Sequence, residues 1–166
     1  RDLAAAGIGK LKELKYNKIK ESIKSPITWK KEFQNNNLCP GVAGRYFKNV
    51  KNVESPKWLQ DRLTAIGLRP ISALVDITNY ITFDLGRPLH VYDADKFSGN
   101  LTMRLANKNE ECLALNEVNY KCDSDMIVIS DDENKLHGIG GVMGGFDSGC
   151  STVSYTHLTL PTRDVV

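Results

Sequence analysis

GLRPISALVDITNYITFDLGRPLH, residues 67–90, is the stretch whose reading decides the fold. β-branched residues between 72 and 85 argue for a strand, while Leu74, Ile77, Tyr80 and Ile81 make a helical stripe, so periodicity alone leaves both open. Asp76, Thr78 and Asn79 sit inside this otherwise apolar run. Arg69-Pro70 follows a Gly, Gly86-Arg87-Pro88 breaks the run, and His90 comes at once. A second unusual segment lies downstream, Gly138-Ile-Gly-Gly-Val-Met-Gly-Gly145. The two segments are expected to meet as the floor and wall of one pocket.

Immediately upstream, Ser55-Pro56-Lys-Trp-Leu-Gln-Asp-Arg-Leu-Thr-Ala-Ile-Gly67 reads as a helix. Ser55 can cap free first-turn amides, Pro56 suits the first helical position, and Gly67 can take the left-handed conformation that ends it. Trp58, Leu59, Leu63 and Ile66 fall on one face and are expected to be core. Downstream the pattern is β: Leu101–Ala106, Cys112–Leu115, Val118–Cys122, Met126–Ser130 and Leu136–Val142 read as strands. Polar turns at Asn107–Asn109, Asn116-Glu117 and Asp131–Asn134 separate them. Further upstream, Val42–Val50 suits a strand that includes Tyr46 and Phe47, and Cys39-Pro40-Gly41 is a turn. Residues 10–37 are Lys- and Asn-rich, expected to be a linker with at most one short strand and a loop at Gln34–Asn37. Arg1–Ala6 is helix-compatible and Gly7-Ile-Gly9 ends it.

The chain has 166 residues and a net charge of +2, enough for one domain plus an appendage. That charge is uneven: residues 1–60 hold 13 Lys or Arg against 5 Asp or Glu, and the rest hold 9 against 15. A basic lead-in on a mildly acidic body could meet a phosphate backbone, although charge alone favours a solvated Lys-rich linker. No apolar run approaches the length of a membrane span. The four Cys form no C-x-x-C pair and no zinc-ligand spacing with the three His, so reduced thiols in a cytoplasmic protein and no metal site are expected. The opening Arg1-Asp2 carries no signal-peptide pattern and no initiator Met, as expected of a fragment.

His90 is the candidate for chemistry: an imidazole on a constrained loop can bind a ligand or move a proton. Taken alone it reads more readily as a surface or structural residue, and Thr78 and Asn79 as capping or turn groups. The glycine segment is neither a dinucleotide fingerprint nor a phosphate loop, because G-x-G-x-x-G fails at Met143 and no Gly-Lys-Ser/Thr follows. Gly140, Gly141, Gly144 and Gly145 are expected either to leave room for a ligand against bare backbone or to form a strand bulge. Ser148, in Asp147-Ser-Gly149, is no nucleophile elbow, and no pair of carboxylates stands out. Any hydrolysis here would use water held by hydrogen bonds.

RPISALVDITNYITFDLGRPLHVYDADK, followed by GIGGVMGGFDSG, closely resembles the bacterial phenylalanyl-tRNA synthetase beta subunit family, in the domain that hydrolyses mis-acylated tRNA. The likeness extends through CPGVAGRYFKNVKNVESPKWLQDRLTAIGLRP and the opening RDLAAAGIGKLKEL, over roughly residues 1–150. It implies a helix at 72–85 and an α+β fold, a layered β-sheet sandwich with helices on one side. It divides the chain into the tail of a preceding small helical domain (1–15), a linker (16–38), the editing domain (39–150) and a non-family tail (151–166). His90 falls at the position that lies near the ester of the charged tRNA end, and Thr78, Asn79, Gly140, Gly141 and Gly144 fall at substrate-binding positions. The implied role is hydrolysis of Tyr-tRNA(Phe), because a pocket shaped for phenylalanine cannot strongly reject an isostere with one added hydroxyl. The family's parent enzyme is a heterotetramer of two alpha and two beta subunits that joins phenylalanine to tRNA with ATP and Mg²⁺. This fragment is expected to need no cofactor of its own, to partner tRNA(Phe) and the alpha subunit, and to meet neither membrane nor DNA. Phe146 stands where the family has an acidic residue. No Glu follows Glu133, whereas the family reads the tyrosine hydroxyl with a later Glu. Loss of tyrosine discrimination and an exposed sheet edge are therefore expected. The rival readings are a non-catalytic tRNA-binding or structural fragment and a free-standing relative acting on another ester.

Overall fold

A computed structural model describes residues 1–161 apart from 14, 16, 35–37 and 152–155, with the backbone alone from 156 to 161. The fold is α+β, with mixed sheets and helices. Helix α1 (Asp2–Ala5) is followed by β1 (Trp29–Glu32), β2 (Arg45–Lys48), α2 (Lys57–Ala65), α3 (Ala73–Leu85) and β3 (Leu89–Asp93). After a 3-10 turn at Ala94–Lys96 come β4 (Leu101–Leu105), β5 (Glu110–Leu113), β6 (Asn119–Cys122), β7 (Ile127–Asp131), β8 (Leu136–Ile139), β9 (Met143–Gly144) and β10 (Thr156–Pro161).

Among the described residues the strands form three sheets. The largest runs β1-β4-β7-β8-β9, with β1 parallel to β4 and the other pairs antiparallel. Strand β4 is buried on both faces, and its register against β7 divides the core in two. Leu101 and Met103 lie with Ile129 and Tyr92 on one face, packed by Ile27, Trp29, Phe33 and Phe97. Arg104 shares the other face with Ser130 and Val128, where the β5-β6 hairpin brings Cys112 and Cys122. A buried guanidinium is tolerable only when paired, and Glu110 of the hairpin meets Arg104 with two hydrogen bonds of 2.9 and 2.7 Å. The pair holds the Arg104 guanidinium further above and the Glu110 carboxyl further below their ordinary ranges, chiefly through that side-chain contact.

The second sheet is β2-β10-β3, with β10 antiparallel to both neighbours. The expected open edge is thus filled by the Thr156–Pro161 backbone. The loop expected at Gln34–Asn37 lies outside the described residues beyond Gln34, as does most of the tail from 152 onward.

The expected strands and turns of the second half are present, and the three turns each end on a residue with positive φ, Asn109, Glu117 and Asn134. The stretch 73–85 is a helix, closed by Gly86 at φ 63°. Two details of the helices differ from expectation. Ser55 does not cap α2; its hydroxyl donates at 2.5 Å to the buried Asp76 carboxylate, which also accepts from Ile71 N–H at 2.9 Å. The need of a buried carboxylate for donors outweighs a helix amide that Pro56 and solvent can satisfy. Of the expected apolar face, Leu59 and Leu63 are 1% exposed, but Trp58 and Ile66 are each 54% exposed. Trp58 instead lies edge-on to Tyr80 with Arg62 over both rings. On α3 the buried residues are Asp76 and Thr78, while Ile77 of the apolar stripe is exposed.

Candidate functional site

The turn Gly86-Arg87-Pro88 ends α3 and feeds the chain straight into β3, placing His90 two residues beyond Pro88. Strand alternation then puts Tyr92 on the same side as His90, and the two rings meet edge-on at 4.3 Å. The other side of the His90 ring rests on β9. A Cβ on Gly144 would overlap Cε1 and Nε2 of His90, so only glycine allows the ring to lie there. Nε2 is buried and has no hydrogen-bond partner among the described residues. Burial lowers the His90 pKa to about 4, which leaves a neutral imidazole at neutral pH.

The expected meeting of the two unusual segments is present. A cavity of about 120 Å³ lies between them, lined by Pro88, Leu89, His90 and Tyr92 on one side and Gly141–Gly144 on the other, with Ile129 and Ile139. That is close to the ~150 Å³ of an apolar cavity that takes up benzene, so the space suits one ring or a short acyl group rather than a whole aminoacyl-nucleotide. A larger groove of about 510 Å³, lined by Tyr120, Met126 and Ile127, shares Ile139, Val142 and Met143 with it. The Gly140–Met143 turn therefore borders both.

The glycines do not leave ligand room in the way expected. The space beside Gly140 is taken by the Ile127 side chain, that beside Gly144 by His90, and that beside Gly145 by the His137 backbone. They permit close packing of protein on protein. Gly141 differs: its φ is +73° and nothing lies within 4 Å of where a Cβ would stand. Thr78 and Asn79 are not brought to His90. Thr78 donates its hydroxyl to Val75 O at 2.7 Å inside α3, a helical residue's ordinary alternative to an outside partner. Asn79 is half-buried on the same helix, and neither lines the cavity.

Tyr92, Phe97 and His137 stand near the site without having been candidates on sequence. Tyr92 is 1% exposed, and burial drives its hydroxyl's pKa upward. Behind it stand Phe97, edge-on at 6.5 Å, and His137, 5.7 Å further along. His137 is completely buried and its Nε2 lies 3.0 Å from Asp131 Oδ2. Burial pushes the Asp131 carboxyl up, and hydrogen bonds from His137 and the amides of Ser98 and Lys135 outweigh it, leaving it below its usual range. The inward position of His137 on a buried strand was the only signal in the sequence. Ser148 is buried, with its hydroxyl 3.5 Å from the carbonyls of His137 and Gly145. Among the described residues no group of three His, Cys, Asp or Glu side chains could hold a metal ion, and no helix is long and apolar enough to cross a membrane. What the site offers chemically is a neutral imidazole in the wall of a small cavity of mixed polarity, with Nε2 packed against Gly144 and without a partner among the described residues.

Comparison with known proteins gives a consistent result. The B3/4 domain family matches residues 38–158. The phenylalanine–tRNA ligase beta subunit of Mesorhizobium japonicum is 55% identical over 150 residues, covering 90% of this chain and 18% of that protein. The same subunit of Paramagnetospirillum magneticum is 52% identical over 153 residues, 91% of this chain and 19% of that one. The chain thus spans under a fifth of the length of these relatives. Among solved structures, an N-terminal fragment of the phenylalanyl-tRNA synthetase beta subunit from Pyrococcus horikoshii superposes with a TM-score of 0.60 at 15% identity, covering 94% of this chain and 47% of that one. That likeness is one of fold.

Proposed function

Because the chain belongs to the B3/4 domain family, and its relatives are phenylalanine–tRNA ligase beta subunits, we propose that it is the ester-hydrolysing editing module of such a subunit. The substrate is Tyr-tRNA(Phe), and the partners of the longer protein are tRNA(Phe) and the synthetase alpha subunit in a two-alpha, two-beta assembly. The finer architecture we infer is the layered sandwich with helices on one side. ATP and Mg²⁺ serve ligation elsewhere in that assembly; the residues described here form no metal-binding group, and no step of the hydrolysis runs through either.

The observation that carries this reading is the neutral His90 ring in the cavity wall, whose Nε2, packed on Gly144, has no partner among the described residues. A buried nitrogen left without a partner costs free energy unless a ligand supplies one. A neutral imidazole can accept a hydrogen bond from water beside the aminoacyl ester and hold that water for attack. The water oxygen bonds to the ester carbonyl carbon, the bond from that carbon to the ribose oxygen breaks, and the ribose hydroxyl leaves with a proton. The products are tyrosine and free tRNA. Thr78, Asn79, Gly140, Gly141 and Gly144 remain proposed contributors to substrate binding; of these only Gly141 and Gly144 line the cavity. Between residues 134 and 166 this chain offers no Glu to accept from a phenol, so this polypeptide taken by itself is expected to select Tyr over Phe only weakly.

The test is deacylation of Tyr-tRNA(Phe) and Phe-tRNA(Phe) by the full chain and by His90→Ala. We expect hydrolysis of both esters at similar rates, with a loss of about 100-fold in the variant, as for other general-base contributions. Equal activity in His90→Ala would refute the role of His90. A folded chain that binds tRNA without hydrolysing either ester would leave a non-catalytic tRNA-binding fragment instead.

A further inference from the structure

The contacts around His90 close on themselves. Its ring lies between the Tyr92 ring at 4.3 Å and the bare backbone of Gly144. Tyr92 is braced by Phe97 at 6.5 Å, and Phe97 by the His137 ring at 5.7 Å. The circuit returns through the backbone: Gly145 N–H donates to His137 O at 2.7 Å, and a Cβ at 145 would crowd the His137 carbonyl carbon to 2.8 Å. His137 therefore touches both supports of His90, the aromatic side through Phe97 and Tyr92 and the glycine side through Gly145.

His137 is itself fixed. It is fully buried, and its Nε2 lies 3.0 Å from Asp131 Oδ2. An ionised carboxylate only accepts, so Nε2 carries the hydrogen and the ring has one tautomer and one plane. Asp131 in turn accepts from the amides of Ser98, Glu133 and Lys135, which anchors the pair to the backbone at both ends of the β7-β8 turn. His137 Nδ1 is buried with no partner among the described residues.

We propose that His137, held by Asp131, is the positioning residue for His90, fixing the plane of its ring through Phe97 and Tyr92 on one side and through Gly145 and Gly144 on the other. The proposal rests on the reading of His90 as the group that meets the substrate ester. His137 never touches substrate; it acts by denying His90 alternative orientations, and small misplacements of a reacting group are costly in rate.

The test uses the full chain with Phe97→Leu, which breaks the aromatic path and leaves the His137–Asp131 pair intact, and with His137→Gln. The chain has three His, so the ring Cε1–H resonances are few, and His90→Gln identifies the one that matters. In folded Phe97→Leu we expect the His90 Cε1–H resonance to move. The kcat for ester hydrolysis should fall about tenfold or more while KM stays within about twofold, the pattern of lost orientation rather than lost binding. His137→Gln should do the same, and if it does not fold, Phe97→Leu decides alone. An unmoved His90 resonance with unchanged kcat in folded Phe97→Leu overturns the proposal. If the unaltered chain hydrolyses no ester, the functional reading fails, and the His90 resonance still decides whether His137 positions it.

Discussion

At the scale of single residues, His90 joins structure to pH. Burial depresses its pKa from 6.5 to about 4, so between those values the unfolded chain binds a proton that the folded chain does not. Stability contributed by the neutral, buried ring is complete above pH 6.5 and is lost as pH falls toward 4. The shift corresponds to a loss of up to about 3 kcal/mol. Asp131, Glu110 and Asp147 have pKa values below their ordinary ones, so their stabilisation is lost only at more acidic pH. Denaturant unfolding of the chain and of His90→Gln between pH 7 and 5 should separate the two: the slope of stability with pH is expected to flatten in the variant. A slope unchanged by the substitution would show that the ring is accessible to protons in the folded state. His90 stood out through the family resemblance; Gly-Arg-Pro before it suggested only a constrained loop, whereas the residue lies in β3. What excludes a Cβ from Gly140 and Gly144 could not be read from the sequence, since glycine in a strand marks close approach without saying whether ligand or protein approaches. The Asp131–His137 pair was hidden for another reason. Its residues sit on neighbouring strands whose register shifts at Ile129/Ser130, and strand alternation alone does not align them.

At the scale of elements, the turns were legible because each needs a residue tolerant of positive φ, and Asn supplies two of the three. Glu117 is the exception, with φ 63°. Its N–H donates to Ala114 O at 2.8 Å, and Ala114 N–H to Val118 O at 3.0 Å, so the β5-β6 connection closes with Glu117 as its last, left-handed residue. That position in a three-residue hairpin loop is ordinarily Gly. Glu117→Gly is expected to raise stability by about 0.5–1 kcal/mol, because relief of backbone strain exceeds the entropy gained by the unfolded chain. An unchanged or lowered denaturation midpoint would contradict the strain. The helices were less legible. The hydrophobic stripe of α3 left helix and strand open, and only the resemblance implied the helix. The residues α3 buries, Asp76 and Thr78, lie off that stripe, and Ser55, Ile71 and Asn52 make hydrogen bonds that draw Asp76 and the helix start inward. Trp58 and Ile66 fit the helical period of α2, yet its two fully buried positions are Leu59 and Leu63. Periodicity finds a face and does not measure how wide the neighbour on it is.

For the molecule as a whole, the least obvious feature is how far the core reaches toward the N-terminus. The Lys- and Asn-rich lead-in has the composition of a linker, yet β1 extends the five-stranded sheet by pairing parallel with β4 from Trp29↔Leu101 to Glu32↔Arg104. Its start is locked by Thr28, whose N–H and hydroxyl both donate to Asn100 Oδ1, at 3.0 and 2.6 Å, while Asn100 donates to Asp132. Ile27, Trp29 and Phe33 pack on the cluster of Tyr92, Leu101, Met103 and Ile129, the same cluster that holds the ring behind His90. The one short strand allowed for in this lead-in is thus β1; composition does not show that it joins the core, because three apolar residues suffice to fill one groove and the lysines between them are exposed. Removing residues 1–38 would leave β4 as an open edge and Leu101 and Met103 partly uncovered. Loss of these half-buried side chains is expected to cost about 3 kcal/mol or more, whereas removal of residues 1–24 alone should leave the unfolding midpoint unchanged. Both truncations are read by denaturant unfolding and by sedimentation, where the larger deletion should also self-associate. If the 39–166 chain proves as stable and monomeric as the full one, the edge strand is dispensable and the core ends at Cys39. If it does not, the smallest unit that can present His90 in its proper setting begins before Thr28, within what its composition marks as a linker.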